Sequence, residues 1–413
     1  MLKVGPLLRG GHDFDGTDLT DATMVASILD EEVFGASGEA RDREAARGVV
    51  VTYPVGTATL HNGHMASTRN ELARRLASLT GFSYAGEYDP LRHLAMPTYF
   101  VPSDTLDSEA ATRTGIRRES DLFGGVVPHP FVATKTITHP LPDAPSCVPI
   151  GWAREFPRRV AGVVLKGASA FAKGDALSAG NTLLAIGPVR VKPGGGIAGL
   201  GQSVVDNVID LAIALETIEP DAMSRSGVVV EENLSDVTTY SIGQVRVADQ
   251  VATYCGTQFM TMNNRGAEVY GGSDLTVVRG GFDRLLALPL SKEVALAIDQ
   301  ARTYDAAASE CFEGLYASRR NYDVAQGLDG AGRWVSGVLE QSWRLGGASG
   351  AEIGALEAFR ADPSLRIVRA MTREVYGEAP ELPTGAVVYY SGVDASVGAL
   401  TKYAVTEPHG HPR

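Results

Sequence analysis

Lys192 closes the alternating stretch Val189–Lys192, and Pro193 and a run holding Gly194, Gly195, Gly196, Gly199 and Gly201 follow it. No other lysine occurs between Lys173 and Lys292. Glycine lets backbone N–H groups approach a phosphate closely, and a lysine at the loop edge neutralises its charge. The structural alternative is a long hairpin loop with a solvated lysine. The order of residues excludes a P-loop, in which the lysine follows the glycines. Gly194, Gly196 and Gly199 match G-x-G-x-x-G by spacing. However, the helical pattern starts only at Ser203, and the acids about twenty residues on, Glu216 and Glu219, sit at a helix end, so the dinucleotide-binding context is missing.

Two further groups have chemical potential. Glu231, Glu232, Asn233 and Leu234 end the apolar stretch that starts at Val228, where a strand-to-loop transition can read a purine edge through backbone groups. Asp323 and Glu340 flank the turn segment 327–332. On adjacent antiparallel strands their side chains would meet on one face. Mg²⁺ takes oxygen ligands and keeps substrate phosphates in its shell, so two carboxylates beside a triphosphate suit it. Two like charges at this range are expected to raise each other's pKa. Arg320 and Arg344 bracket the pair, and the planar guanidinium suits phosphate or carboxylate. The plain alternatives are an edge strand with polar ends and a hairpin with solvated charges.

The elements that must position these residues follow from periodicity. Residues 1–46 read as an acidic N-terminal arm. An apolar strand at 47–56, an amphipathic helix at 67–82 and a strand at 98–106 predict a small parallel α/β domain over 47–130. Residues 122–141 read as a strand-rich connection. A helix over 173–187, the lysine strand, and a helix over 203–218 define a first α+β part, 131–225. A strand at 226–234, an antiparallel meander at 238–261, a long helix at 291–318 and two strands around a turn define a second, 226–400. Residues 401–413 read as a tail, whose last residues, 406–413, look frayed.

The lysine–glycine segment 189–202, the segment 228–234 and the segment 321–349 together resemble the ATP-grasp fold in order and separation. The chain is similar, more closely, to a bacterial family of ATP-grasp proteins labelled biotin-carboxylase-like. The resemblance implies a small pre-ATP-grasp domain followed by an ATP-grasp domain of two α+β subdomains, with ATP and Mg²⁺ as cofactors. It makes Lys192 and Lys135 phosphate-contacting lysines, with His139 near the place of a second lysine in the first subdomain. Gly195, Gly196, Gly199 and Gly201 become the loop above the triphosphate, and Glu231–Leu234 the adenine hinge. The ribose-binding acid would fall near Thr238, with Asp236 two residues away. Asp323, Glu340 and Ser342 become the metal ligands, with serine where the family has asparagine. Arg344 matches the arginine of the E-x-N-x-R pattern, and Arg320 joins it as a catalytic candidate. Arg279 and Ser349 are expected to line the substrate pocket. The implied reaction converts a small carboxylate into an acyl phosphate that an amine or similar nucleophile attacks. The alternatives are a non-catalytic ATP-binding protein and biotin-carboxylase-like carboxylation.

Composition narrows the classes further. The chain has 413 residues, 44% hydrophobic and 21% charged, with a net charge of −12. An acidic balance argues against a general nucleic-acid binder. No stretch is apolar enough for a membrane span. Three scattered cysteines suit a reducing, cytoplasmic setting. Homodimer formation stays open. The segment Thr59–His64 resembles the HxGH of nucleotidyl transferases, without a second basic signature.

Overall fold

The structure is a computed structural model that describes residues 47–56, 63–92, 96–196 and 201–407. The acidic arm, Gly199, His61 and the residues after 407 lie outside the described residues. The described residues form one unit. Its first layer is a parallel sheet in the order β2 (Ser83–Glu87), β1 (Val49–Tyr53), β3 (Thr98–Pro102), with helix α1 (Gly63–Thr80) crossing between β1 and β2. Strand β1 opens with three valines, and its middle residues Val50, Val51 and Thr52 are buried, because it lies between two neighbouring strands with both faces covered. Strand β4 (Leu106–Asp107), helix α2 (Ser108–Thr114) and strand β5 (Gly125–Val127) extend this region. The stretch 122–141, expected to be rich in strand, is mostly turn. Pro130 and Thr134 start two 3-10 segments, Pro130–Ala133 and Lys135–Thr138, and the Thr134 side chain caps the second.

Helix α3 (Glu155–Val160) leads into a four-stranded antiparallel sheet ordered β6 (Gly167–Ala170), β9 (Val228–Glu232), β7 (Val189–Pro193), β8 (Ser203–Val205). Helices α4 (Lys173–Leu184), α5 (Val208–Glu216) and α6 (Pro220–Ser226) belong to this part. Val189, Val191, Val228 and Val230 pack with Leu211 and Leu215 of α5. Strand period 2 therefore turns Arg190, Lys192, Val229 and Glu231 to the opposite face. The helix expected from Ser203 begins instead at Val208, because Ser203–Val205 pairs with β7 in a hairpin. The glycine run is that hairpin's loop.

The third layer is an eight-stranded antiparallel sheet. Its order is β15 (Trp334–Ser342), β14 (Arg319–Leu328), β10 (Ser235–Val247), β11 (Gln250–Met262), β12 (Glu268–Arg279), β16 (Ile367–Tyr376), β18 (Gly398–Glu407), β17 (Val387–Asp394). Short strand β13 (Tyr316–Ala317) pairs with β5. Helices α7 (Phe282–Leu286) and α8 (Lys292–Cys311) cover one face, where Ile242, Tyr304, Tyr322, Val324 and Val338 pack together. Helix α9 (Ser349–Ala361) and α1 cover part of the other face, against Val245, Leu275 and Val368. Residues 401–407, expected to begin the tail, are strand. They pair with β16, and as far as Ala404 also with β17, so residues Thr401 to Val405 are all buried.

The glycines of the hairpin loop are not equivalent. A Cβ on Gly194 would lie 1.9 Å from the Ser226 carbonyl oxygen, and the Gly194 N–H donates to the Gly227 carbonyl. Gly201 has φ +76°, a left-handed conformation that favours glycine. A Cβ on Gly195 would meet only the Ser226 hydroxyl, at 3.9 Å. Gly194→Ala should therefore lower stability by about 1–3 kcal/mol, as overpacking does, while Gly195→Ala stays within about 0.5 kcal/mol. Urea unfolding of the two variants checks this, and equal losses would refute the distinction.

Candidate active site

Between the four-stranded sheet and the eight-stranded sheet lies a nest of paired charges. Lys192 is 3% exposed on the face away from the helices, and its ammonium lies 2.5 Å from Glu231 Oε1. The other Glu231 oxygen lies 3.1 Å from His139 Nε2, and both side chains are buried. Gly167 makes room for this arrangement, since a Cβ there would meet the His139 ring at 2.8 Å. Burial opposes ionisation of Glu231, but Lys192 and His139 hold its carboxyl below its ordinary value.

Lys135 comes from the capped 3-10 turn and bridges two elements. Its ammonium lies 2.7 Å from Glu340 Oε2 and donates at 2.7 Å to the Gly196 carbonyl. One cation thus ties the glycine loop to an acid of β15. Asp323 and Glu340 face each other in register on β14 and β15. The register shifts between Asp323 and Val324, which pairs with Val338. This bulge lets Val338 pack with Val324 in the α8 core while Glu340 still opposes Asp323.

The two acids have different environments. Asn321 Nδ2 (2.9 Å) and Gln258 Nε2 (2.7 Å) both donate to Asp323 Oδ1, and the Ser241 hydroxyl is 3.5 Å from the same oxygen. All these donors converge on one oxygen. Burial, and then the Glu340 charge, push the Asp323 carboxyl up to about 6. Glu340 moves the other way. Burial opposes its charge, but Lys135 and Lys192 hold it below its ordinary value. The expected mutual rise therefore holds for Asp323 and is corrected for Glu340, because Lys135 compensates its charge. Two carboxylates on paired strands are hard oxygen donors that suit Mg²⁺, with room in its shell for phosphate oxygens.

Arg344 is 3.7 Å from Asp104, which follows β3, and donates to the Leu345 carbonyl. It shares strand parity with Glu340 and Ser342. Arg320, expected beside the acids, is on the opposite face. It pairs with Asp305 of α8 at 3.1 Å. Side chains alternate along β14, so Arg319 and Asn321 share the face of Asp323, and Arg320 cannot. Arg319, missed in the sequence, is 1% exposed. It forks onto Glu352 (2.8–3.2 Å) and donates to the carbonyls of Ser342 (3.1 Å) and Arg344 (2.7 Å). Ser342 Oγ accepts from the same guanidinium at 3.3 Å.

The remaining expected residues divide. Glu232 pairs with Lys166 and accepts its N–H, and Asn233 accepts from Arg190, so these side chains hold the strand end together. The Glu232 and Asn233 N–H groups go to the Lys166 and Pro188 carbonyls. Leu234 packs with Leu165, Ala325 and Leu339. Gly195 and Gly196 stand at the start of the loop and Gly201 at its end. Asp236 sits where the β10–β14 register shifts, with φ +50°. Arg279 is not brought to this site. It donates to the carbonyls of Leu365, Phe359 and Asp362 and stacks over the Phe359 ring. Ser349 is buried, and its hydroxyl accepts the Gly346 N–H, so it shapes the turn before α9 instead of facing a pocket. At His64 the α1 N-terminus is occupied by the Asp394 carboxylate, which accepts the His64 N–H at 2.8 Å. That leaves the HxGH reading without a free anion site there.

No curated protein sequence matches the chain. Among solved structures, biotin carboxylase from Campylobacter jejuni, determined with a β,γ-ATP compound, is similar at TM-score 0.50 and 11% identity, over 87% of each chain. N5-carboxyaminoimidazole synthase from Aspergillus clavatus, determined with ADP and an aminoimidazole ribonucleotide, is similar at TM-score 0.48 and 15% identity, over 88% of this chain and 94% of that one. D-alanyl-alanine synthetase A from Vibrio cholerae has TM-score 0.47 and 11% identity, over 72% of this chain and 89% of that one. The fold is the ATP-grasp fold, with a small parallel sheet before a large antiparallel one. Residues 51–404 match the family described as "Protein of unknown function (DUF3182)", and the chain belongs to that family.

Proposed function

We propose that this protein is an ATP- and Mg²⁺-dependent ligase that activates a small carboxylate as an acyl phosphate for attack by an amine or similar nucleophile. One observation carries the reading: Lys135, Lys192, Asp323 and Glu340 come from three separate parts of the chain and converge between two sheets. Lys192 and Lys135 would hold the triphosphate, and the loop from Gly195 to Gly201 would cover it. The strand end at Glu231–Leu234 would take the adenine. Asp323 and Glu340 would hold Mg²⁺, which supplies charge neutralisation at the transferred phosphoryl group. Arg344, anchored near the end of the parallel sheet, would face the carboxylate. In this reading nucleotide binding exchanges partners: the lysines leave Glu231 and Glu340 for phosphate.

A binding-only reading has one specific support, the engagement of the Ser342 hydroxyl with Arg319. Release of ADP and phosphate in pools of small carboxylates and amines decides between the two. Mg²⁺-dependent ATP binding with no release under any pool would favour binding alone. Lys192→Ala removes a charged hydrogen-bond donor, a contribution of about 1.5–3 kcal/mol. ATP affinity measured by calorimetry should fall about tenfold or more, and unchanged affinity would take the loop out of the site.

The acids should differ in the absence of nucleotide. An Asp held near pKa 6, against an ordinary value of 3.8, destabilises the fold above that range. By linkage the penalty reaches at most about 3 kcal/mol above pH 6 and disappears below pH 3.8. Asp323→Asn should raise the melting temperature at pH 8, with the gain shrinking towards pH 4. Glu340→Gln should lower it at pH 8, because buried Lys135 loses its counter-charge. A thermal-shift series over pH checks both signs. Equal shifts in the two variants would contradict the asymmetry.

A further inference from the structure

Glu352 lies in the first turn of α9, fully buried, and is not one of the groups just assigned. A buried ion pair is weak evidence for stability, since apolar residues of similar volume often serve as well. What singles this one out is where its two branches end. In one branch, Arg319 forks onto Glu352 and passes donors to the Ser342 carbonyl, the Ser342 hydroxyl and the Arg344 carbonyl. Those atoms fix the end of β15, where Glu340, Ser342 and Arg344 alternate onto one face. In the other branch, the single Tyr254 hydroxyl proton is shared between two acceptors, Glu352 Oε1 at 2.6 Å and Asn321 Oδ1 at 2.9 Å. Asn321 then donates to Asp323 Oδ1. Tyr254 is fully buried in the centre of the eight-stranded sheet.

We propose that Glu352, acting through Arg319 and Tyr254, is a positioning residue that sets both metal-binding carboxylates and the Arg344 backbone at once. The inference rests on the Mg·ATP reading of the site. One carboxylate on a helix would then fix two neighbouring strands relative to each other, which neither strand's ladder does for side-chain oxygens. A metal that demands near-ideal geometry is sensitive to such placement.

The test uses the full chain with Mg²⁺ titrated by calorimetry in the presence of a saturating non-hydrolysable ATP analogue. Tyr254→Phe removes a single oxygen and keeps the ring. Glu352→Gln keeps the shape and removes the charge. Loss of one buried hydrogen bond corresponds to about a tenfold weakening. The Mg²⁺ half-saturation should therefore rise about tenfold or more in both variants, with binding of the analogue in EDTA unchanged. Tyr322→Phe is the control. It removes a buried hydroxyl on the α8 face of β14, the strand of Asp323, where that hydroxyl donates to Asp305 and accepts from Trp343 Nε1. It should lower the melting temperature without moving the Mg²⁺ midpoint. If Tyr254→Phe folds and keeps the parental midpoint, or if Tyr322→Phe shifts it equally, the positioning role is overturned. If Glu352→Gln does not fold, Tyr254→Phe alone decides. A parent protein that shows no Mg²⁺-dependent nucleotide binding overturns the ligase reading, and this inference with it. A parent that responds beside a Tyr254→Phe variant that responds identically overturns only the inference.

Discussion

Two lysine ammonium groups are withdrawn from water between two sheets, and the site is organised around that desolvation. An unpaired buried charge is too unfavourable to persist, so each lysine has a carboxylate at hydrogen-bonding distance. The consequence spreads outward. Glu231 is drawn inward from a strand end and takes His139 as its second partner. Gly167 is needed where the His139 ring lies flat. Glu340 stays ionised beside a second acid because Lys135 compensates it, and Asp323, which among the described residues has amide partners but no cation in hydrogen-bonding contact, has its carboxyl raised instead. The asymmetry between two acids that look equivalent in the sequence comes from which one the lysine reaches.

Much of this was legible in the residues. The Asp323–Glu340 pairing follows from two strand-like segments around a glycine-containing turn, and the structure has that register. Lys192 before its glycines and Glu231 at the strand end were visible for the same reason: period 2 separates a polar face from Val189, Val191, Val228 and Val230. Arg320 failed by the same rule. Choosing the arginines that bracket the acids ignored parity, which assigns Arg319 and Asn321 to the face of Asp323. That signal was present in the sequence.

Other parts were not legible for physical reasons. Gln258 and Tyr254 reach Asn321 and Asp323 only through the register between β11, β10 and β14, a long-range pairing that local periodicity does not fix. Arg279 was expected to line the substrate pocket, yet carbonyl oxygens at and just after the end of α9 satisfy its guanidinium instead. Lys135 lies in a 3-10 turn with no periodic pattern to aim it, so only the resemblance pointed to it. The tail through Glu407 was misjudged because its alternation is mixed with Thr, Lys and Tyr, and only pairing with β16 shows that it is strand.

The paired charges also constrain how a nucleotide can enter. Lys135, Lys192, Glu231 and Glu340 together are neutral, so the site does not attract a triphosphate by net charge alone. Lys135 bonds both Glu340 and the Gly196 carbonyl, so the acid and the start of the glycine loop share one ammonium. In the Mg·ATP reading proposed above, Glu340 would give up that ammonium to hold Mg²⁺, and Lys135 would turn to phosphate and release the Gly196 carbonyl. Metal binding and loop release would then be coupled through one side chain. Such a site would distinguish Mg·ATP from bare ATP by which ion pair has to open, and the proposed Glu352 frame would set how well Asp323 and Glu340 are placed to receive the metal.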